Sequence, residues 1–260
     1  MQILLSMLLK TDTNIDIDDV QINFDESGLW ILNIAIAIIM FGVALGITLN
    51  DFKQLFKNPK IVFVGVFSQF ILLPATTFIA IILIKPHPSF ALGMMMIAAC
   101  PGGNVSNFFS KMARGNAALS VSLTAFATLI CVVMTPVNLH FWGSLYEPTN
   151  NILKTISINP YDLFKLVSLI LGVPLIFGML IKQYFNELSI QIEKILKPLS
   201  MGVFIVLIVI AFSQNLEIFI DHIHHVLYLV IFHNIFAYIL GFYTAKAFKL
   251  DHKNCRTIAI

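Results

Sequence analysis

A helix-breaking triplet in an apolar stretch of this sequence is followed at once by short polar side chains. Residues 101–103 read Pro-Gly-Gly, and Asn104, Ser106 and Asn107 come directly after them. Proline lacks a backbone donor and each glycine weakens a helix by about 1 kcal/mol, so we expect a break here. In lipid such a break survives only inside protein or beside a watery cavity, and transporters use freed helix ends to bind ions or anions. The alternative is a Pro-Gly kink in a packing helix.

Two hydroxyl side chains on the next apolar segment complete the pattern. Ser120 and Thr124 are four residues apart, so they share one face of a helix. Counted from the turn between the two segments, they lie at a depth similar to that of Ser106 and Asn107. Four neutral oxygens at one depth suit a hard monovalent cation, although no carboxylate lies in this part of the sequence to balance its charge. Hydrogen bonding between packed helices is the alternative for the hydroxyl pair.

Polar residues also interrupt two other apolar segments. Gln69 lies in the middle of one, and the pair His233 and Asn234 lies within another. A buried amide in lipid costs a few kcal/mol unless it is paired, so Gln69 needs a neighbouring helix or an ion as its partner. Intramembrane polar pairs are candidate functional sites, and for His233 the structural and functional interpretations both stay open.

Composition places the chain in a membrane. Of its 260 residues, 58% are hydrophobic and 12% are charged, whereas a soluble domain carries about 25% charge. The sequence therefore predicts an all-α polytopic membrane protein, with the lipid bilayer around it and no nucleic-acid partner. The three cysteines show no CxxC spacing, which excludes a recognisable disulfide framework or zinc site.

Seven apolar segments predict seven membrane spans. They cover residues 29–49, 59–84, 90–112, 116–142, 163–181, 198–216 and 226–248. A polar linker over 182–197 and a histidine-rich turn over 221–225 separate the last three. Alternating loops put these basic residues on one side: Lys53, Lys57, Lys60, Lys111, Arg114, Lys182, Lys194, Lys197, Lys246, Lys249, Lys253 and Arg256. The positive-inside rule then predicts a plasma (inner) membrane protein with its N-terminus outside and its C-terminus in the cytoplasm, and an extracytoplasmic acidic tail over 1–28.

Other function classes find little support in the sequence. An intramembrane enzyme would need an HExxH motif, paired intramembrane aspartates or a serine and histidine at matching depth, and none is visible. A channel is disfavoured because no filter motif is recognisable. We therefore expect a transporter and not an enzyme.

Several sequence blocks together resemble one family. The central block reads CPGGNVSN at 100–107, followed by ARGNAALS at 113–120 and Thr124. Further blocks are FGVALGITL at 41–49, Gln69-Phe70 with Pro74, and His233-Asn234 with LGF at 240–242. This set resembles the signature of the bile acid:sodium symporter family and extends over most of the chain after residue 30.

The resemblance implies a fold and a mechanism. The fold is an inverted-repeat transporter with a panel domain and a core domain, in which two broken helices cross. By position the panel would comprise 29–56 and 160–217, and the core 58–143 and 222–260, with the broken helix of this chain at 101–103. The implied activity is symport of an organic anion, such as a bile acid or a smaller carboxylate, coupled to Na⁺.

The resemblance also assigns roles to individual residues. A first sodium ion would be bound by the oxygens of four residues, namely Ser106, Asn107, Ser120 and Thr124. Gln69 matches a contributor to a second sodium ion. The substrate would meet Gly103 and Asn104 at the break, together with His233 and Asn234.

Two departures from the family pattern bear on function. Asn104 stands where relatives usually have a small hydroxyl residue, which leaves the identity of the substrate open. The sequence ends at Ile260, before the family segment that opens with a glutamate and completes both sodium sites. The alternative to an active symporter is therefore a truncated, transport-incompetent member that lacks this carboxylate.

Overall fold

The described part of the chain is helical. The computed structural model describes residues 26–48, 53, 57–155, 161, 165, 168–214 and 216–260, and these residues contain no strand. The predicted all-α class is therefore confirmed. The acidic tail predicted for 1–28 lies almost wholly outside the described residues.

Ten helices run through the described residues, here labelled α1 to α10. They are α1 (Glu26–Ala44), α2 (Pro59–Ile84), α3 (Pro88–Ala99), α4 (Asn104–Met112), α5 (Ala117–Leu145), α6 (Glu147–Thr155), α7 (Ser168–Tyr184), α8 (Asn186–Gln214), α9 (Leu216–Ala247) and α10 (His252–Ala259). Helix α1 packs mainly against α7 and α8, whereas α5 packs against α3 and α4, and α9 packs against α10. One group thus consists of α1, α7 and α8, and another consists of α3, α4 and α5, which surround the break.

The break between α3 and α4 falls where the sequence predicts it. Cys100 leaves the helix with φ −81° and ψ 149°, and residues 101–103 have no helical structure. Gly103 precedes α4 in an extended conformation, with φ −89° and ψ 171°. Because proline cannot donate and glycine gains little from helix formation, the chain stays extended across the triplet.

Two π-helical turns position neighbouring side chains. One covers Ser68–Leu72 within α2 and the other covers Ser168–Gly172 at the start of α7. Each ends just before a proline, Pro74 or Pro174. A proline ring clashes with the carbonyl one turn earlier, and a widened turn relieves this clash. Gln69 therefore sits in a locally widened part of its helix.

The predicted histidine-rich turn over 221–225 is wrong because this segment is helical, and most of the polar linker over 182–197 is helical as well. Residues 186–197 of the expected linker form the first turns of α8, and the expected histidine-rich turn over 221–225 lies inside α9. The polar stretch Glu147–Thr155 also forms a helix, α6. A change from apolar to polar residues marks an environment and not a helix end, because charged residues are good helix formers in water.

Three helices of the described chain are long and apolar enough to cross a membrane. They cover Pro59–Ile84, Ala117–Leu145 and Val226–Ala247. The shorter apolar helices are Asn33–Ala44, Pro88–Ala99 and Ser168–Tyr184. The structure therefore supports a membrane protein but leaves the count of seven spans as a prediction.

Close packing joins α5 to α1 and α7, and α2 to α3. Ala125 of α5 packs in one buried cluster with Ala44 of α1 and Leu175 of α7. A Cβ atom on Gly178 would lie 2.5 Å from the Cβ atom of Ala44, so only glycine permits this approach of α7 to α1. A second cluster holds Ile81 of α2 together with methionines of α3.

Candidate functional site

Side chains from two helices bind the carbonyls that the break sets free. Gln69 Nε2 donates to the Cys100 carbonyl over 2.7 Å, and Thr135 Oγ1 donates to the Ala99 carbonyl over 2.8 Å. The last carbonyls of a helix have no partner within it, and in an apolar environment each must find one elsewhere. Side chains of α2 and α5 therefore stabilise the break.

The half-helix α4 begins with local hydrogen bonds. Ser106 Oγ donates to the Gly103 carbonyl over 2.7 Å, and the Ser106 amide donates to the same carbonyl over 3.0 Å. Gly103 itself is exposed. Asn104 is the first residue of α4, at the end where a helix carries partial positive charge. The substrate roles predicted for Gly103 and Asn104 stay predictions.

Three side-chain oxygens meet between α4 and α5. Asn107 Oδ1 accepts hydrogen bonds from Ser120 Oγ over 2.7 Å and from Thr124 Oγ1 over 3.0 Å. Both hydroxyl residues are buried on one face of α5, as their spacing predicts. The turn that brings α4 back onto α5 is closed by Asn116, whose Oδ1 accepts from the Leu119 amide and caps α5.

A cavity of about 60 Å³ lies beside these oxygens. Its polar lining residues include Gln69, Ser106, Ser120, Thr124 and Thr257. This volume exceeds what one water molecule needs. None of the side chains that line the cavity is a carboxylate, and the described residues contain no group of three or more His, Cys, Asp or Glu that could hold a metal ion. Neutral hard oxygens favour an alkali cation over zinc or copper.

The other predicted polar pair lies elsewhere. His233 Nε2 is 2.9 Å from Thr77 Oγ1, and both residues are buried at the contact between α9 and α2. Asn234 is exposed and its Nδ2 donates to the Val230 carbonyl of its own helix. Neither residue lines the cavity beside Asn107. Their predicted substrate roles therefore remain without a structural link to the break.

A polar cluster on α10 holds the turn between α4 and α5. The Asn116 amide donates to Thr257 Oγ1 over 2.7 Å, and Asn116 Nδ2 donates to Asn254 Oδ1 over 3.0 Å. Arg256 donates to the Ala113 carbonyl over 3.0 Å. Cys255 faces the opposite way, into a buried cluster, and burial raises the pKa of its thiol. Helix α10 thus bridges the turn and the interior.

A larger cavity of about 690 Å³ opens between α5, α7 and the segment that follows α1. Its walls include Ile47, Leu129 and Met179, and two lysines, Lys53 and Lys182, lie at its edge. The Lys182 ammonium is 3.8 Å from the Glu193 carboxylate. Organic ligands usually occupy cavities of about 300–1,000 Å³ that combine apolar walls with a few polar groups. The dimensions therefore suit an organic ligand, and the charge of Lys182 is shared with Glu193.

Comparison with known proteins shows which family this chain belongs to. The sequence model described as the sodium bile acid symporter family matches residues 33–222. The chain belongs to this family. The match includes the break, Gln69, Asn107, Ser120 and Thr124, so the resemblance read from the sequence is confirmed.

Individual relatives of this symporter-family chain are named as transporters. An uncharacterized sodium-dependent transporter of Bacillus subtilis is 32% identical over 244 residues, which cover 92% of this chain and 72% of the relative. A chloroplastic probable sodium/metabolite cotransporter of Arabidopsis thaliana is 27% identical, covering 87% of this chain and 54% of the relative. The human ileal sodium/bile acid cotransporter is 30% identical, covering 88% and 64%. The chain therefore spans between about half and about three quarters of the length of these relatives.

Family membership settles the broad class of the protein. Its relatives are transporters and not enzymes, which agrees with the prediction from the sequence. Family membership and the apolar helices of membrane-spanning length together identify this symporter-family chain as a multi-pass membrane protein.

Sequence reasoning missed two parts of the site of this symporter-family chain. Thr135 caps the break, and Thr257 joins the cavity lining to the turn after α4. Neither had a local signal, because a threonine in an apolar helix and a threonine in a short polar segment are both common. Their partners are 36 and 141 residues away in sequence. Only the tertiary fold brings them to the site.

Proposed function

We propose that this chain takes part in sodium-coupled symport of an organic anion, with sodium bound beside the broken helix. The observation that carries the proposal is that Asn107 Oδ1 meets the hydroxyls of Ser120 and Thr124, and that both hydroxyl residues line a small cavity with apolar and polar walls. A single amide oxygen accepts from both hydroxyls, and both hydroxyl residues line a space that can hold an ion.

Sodium binding would require only small side-chain movements. The two hydroxyls that donate to Asn107 Oδ1 would rotate and turn their lone pairs toward the ion, because a hydroxyl both donates and accepts. Gln69 uses its amide nitrogen on the Cys100 carbonyl, so its amide oxygen is the atom available to a cation in the cavity. The proposed ligand set thus draws on α2, α4 and α5 and includes Ser106 at the start of α4.

The organic anion would bind in the larger cavity and near the break. Lys53 supplies positive charge in the lining of that cavity, whereas the charge of Lys182 is shared with Glu193. The apolar walls of the cavity suit a hydrocarbon skeleton. The start of α4, at Gly103 and Asn104, adds the partial positive charge of a helix N-terminus. A bile acid or a smaller carboxylate fits this combination. Cotransport of bile acid by the human relative supports the first.

The proposed architecture follows the family fold. The group formed by α1, α7 and α8 would be the panel (29–56 and 160–217), and the helices around the break would belong to the core (58–143 and 222–260). The chain would cross the plasma membrane seven times, with its N-terminus outside and its C-terminus in the cytoplasm. Alternating access would rock one group against the other, with sodium bound inside the core and the anion bound between the two groups.

A second candidate function is a sodium-binding family member that does not transport. The observation in its favour is that no Asp or Glu side chain lines the small cavity to balance the charge of a bound cation. The two candidates predict the same effect of sodium on stability but different results in uptake.

Uptake by proteoliposomes tests the proposal. We would measure entry of labelled taurocholate and labelled pyruvate under an inward sodium gradient and under matched potassium and choline gradients. Symport predicts uptake that depends on sodium and falls strongly in Thr124→Val. The matched control is Thr128→Val, because Thr128 is buried one turn away on α5 and donates to the Thr124 carbonyl instead of lining the cavity. Equal uptake under potassium, or equal loss in both variants, would contradict the proposal.

A further inference from the structure

We propose that Thr257 of α10 is a positioning residue that holds the half-helix α4 in register with α5, so that Asn107 meets Ser120 and Thr124. The proposal rests on the sodium site proposed above and adds a part to it. Thr257 would act through the turn that follows α4, in addition to lining the same cavity.

Helix α4 needs support from outside itself. It has nine residues, and isolated helices shorter than about 12–15 residues are marginal even in water. Its apolar side chains Val105, Phe108, Phe109 and Met112 are exposed and so contribute little internal packing. Its main neighbour is α5. The orientation of Asn107 therefore depends on how the two ends of α4 are held.

One hydroxyl group contacts both the last turn of α4 and the start of α5. Thr257 Oγ1 accepts from the Asn116 amide over 2.7 Å and lies 3.2 Å from Ser110 Oγ. Ser110 is fully buried, and it lies one turn after Asn107 on the same helix. Thr257 is itself 5% exposed. One buried side chain thus joins the last turn of α4 to the start of α5.

The turn after α4 is packed closely against α10. A Cβ atom added to Gly115 would lie 2.8 Å from both Ser110 Oγ and Thr257 Oγ1, closer than real Cβ atoms approach other atoms. On its other side α10 lies against α9, where a Cβ atom on Gly241 would lie 2.8 Å from the Ile258 carbonyl oxygen. The turn, α10 and α9 are therefore packed as one unit. A shift of α10 would move Ser110 and, with it, Asn107.

Hydrogen exchange of the whole 260-residue chain in detergent tests the positioning role. Thr257→Val keeps the shape of the side chain and removes the hydroxyl, which leaves the half-buried Asn116 amide without its acceptor. Without sodium, we expect the α4 amides of this variant to exchange about tenfold faster, with little change in α3. Thr257→Ser should restore the native rate. The control is Thr149→Val, since Thr149 is fully buried and donates to the Gly143 carbonyl far from α4.

Sodium titration of the same variants tests the link to the ion. From the shift of the thermal midpoint in NaCl against choline chloride, we expect Thr257→Val to need about tenfold more sodium and Thr149→Val to need the native amount. Faster exchange spread equally over all helices, or unchanged exchange in α4, would overturn the positioning role. A native chain that shows no sodium response, while α4 still loosens selectively in Thr257→Val, would overturn the proposed function and leave the positioning role supported.

Discussion

Two polar contacts between apolar helices of this protein differ in the number of groups that meet and in the space beside them. Thr77 and His233 meet one to one, and apolar residues such as Ile81 and Leu229 lie one turn away on each helix. Asn107 instead accepts from two hydroxyls beside a polar cavity. The first contact satisfies its own groups, as a contact that fastens two helices does. In the second contact the hydroxyls of Ser120 and Thr124 keep their lone pairs, and both residues line a cavity that can hold a further partner.

The comparison teaches how to interpret polar residues in apolar helices. Polarity alone marked Gln69, Asn107 and His233 equally as candidates. What separates them is whether oxygens from several helices converge on an open space, since burying a polar group requires only that it be paired. By this criterion Asn107 and Gln69 belong to the candidate site and His233 belongs to a helix contact.

Replacing the shared oxygen should have the largest effect. Asn107→Ala removes the group on which Ser120 and Thr124 converge, and we expect sodium affinity to fall by about 100-fold or more. Changes in groups that merely support metal ligands already cost about 10–100-fold. The measurement is the sodium dependence of thermal unfolding or of uptake.

Asn138→Ala is the matched control for this variant. Asn138 is a buried asparagine of α5 whose Oδ1 accepts from the Trp142 ring nitrogen, away from the break. It should lose stability and keep its sodium affinity. If both variants lose sodium affinity equally, the distinction between the two kinds of contact is wrong.

Removing one of the two side chains that donate to the free carbonyls at the break should have an intermediate effect. Gln69→Leu and Thr135→Val each leave one carbonyl of the break without its donor, and each should lower the free energy of unfolding by about 1–3 kcal/mol. Only Gln69 lines the polar cavity, so only Gln69→Leu should also weaken sodium binding. Chemical denaturation with and without sodium measures both quantities. A sodium response lost in both variants, or kept in both, would remove Gln69 from the site.

Breaking the helix contact should have the smallest effect on function. Thr77→Val leaves the buried ring of His233 without its partner and should cost about 1–3 kcal/mol of stability. Sodium affinity should stay within about twofold of the native value. A double-mutant cycle with His233→Phe should give a coupling energy of about 0.5–3 kcal/mol, as expected for residues in direct contact. A large change in sodium affinity in Thr77→Val would place His233 in the functional site after all.

Part of the site could be predicted from the sequence because its physics is local. The Pro-Gly-Gly triplet determines the break at 101–103, and the four-residue spacing of Ser120 and Thr124 puts both hydroxyls on one face. The short turn between α4 and α5 then brings Asn107 against that face. Each of these steps involves residues close together in the chain.

The rest could not be predicted because it depends on distant contacts or on solvent. Thr257 and Asn116 are 141 residues apart, and Thr77 and His233 are 156 apart. The helical course of 221–225 was missed because polar residues were taken to mark a loop, although a helix continues wherever its backbone is paired. Apolar runs therefore predicted the membrane environment better than they predicted helix ends.

Thermal unfolding of the purified chain in detergent, titrated with NaCl, KCl or choline chloride, tests the central claim most directly. A ligand that binds only the folded state raises its stability as its concentration exceeds the dissociation constant. Sodium bound by Asn107, Ser120 and Thr124 predicts a midpoint that rises with NaCl and stays level in the other two salts. Identical curves in all three salts would contradict the claim that these oxygens form a sodium site.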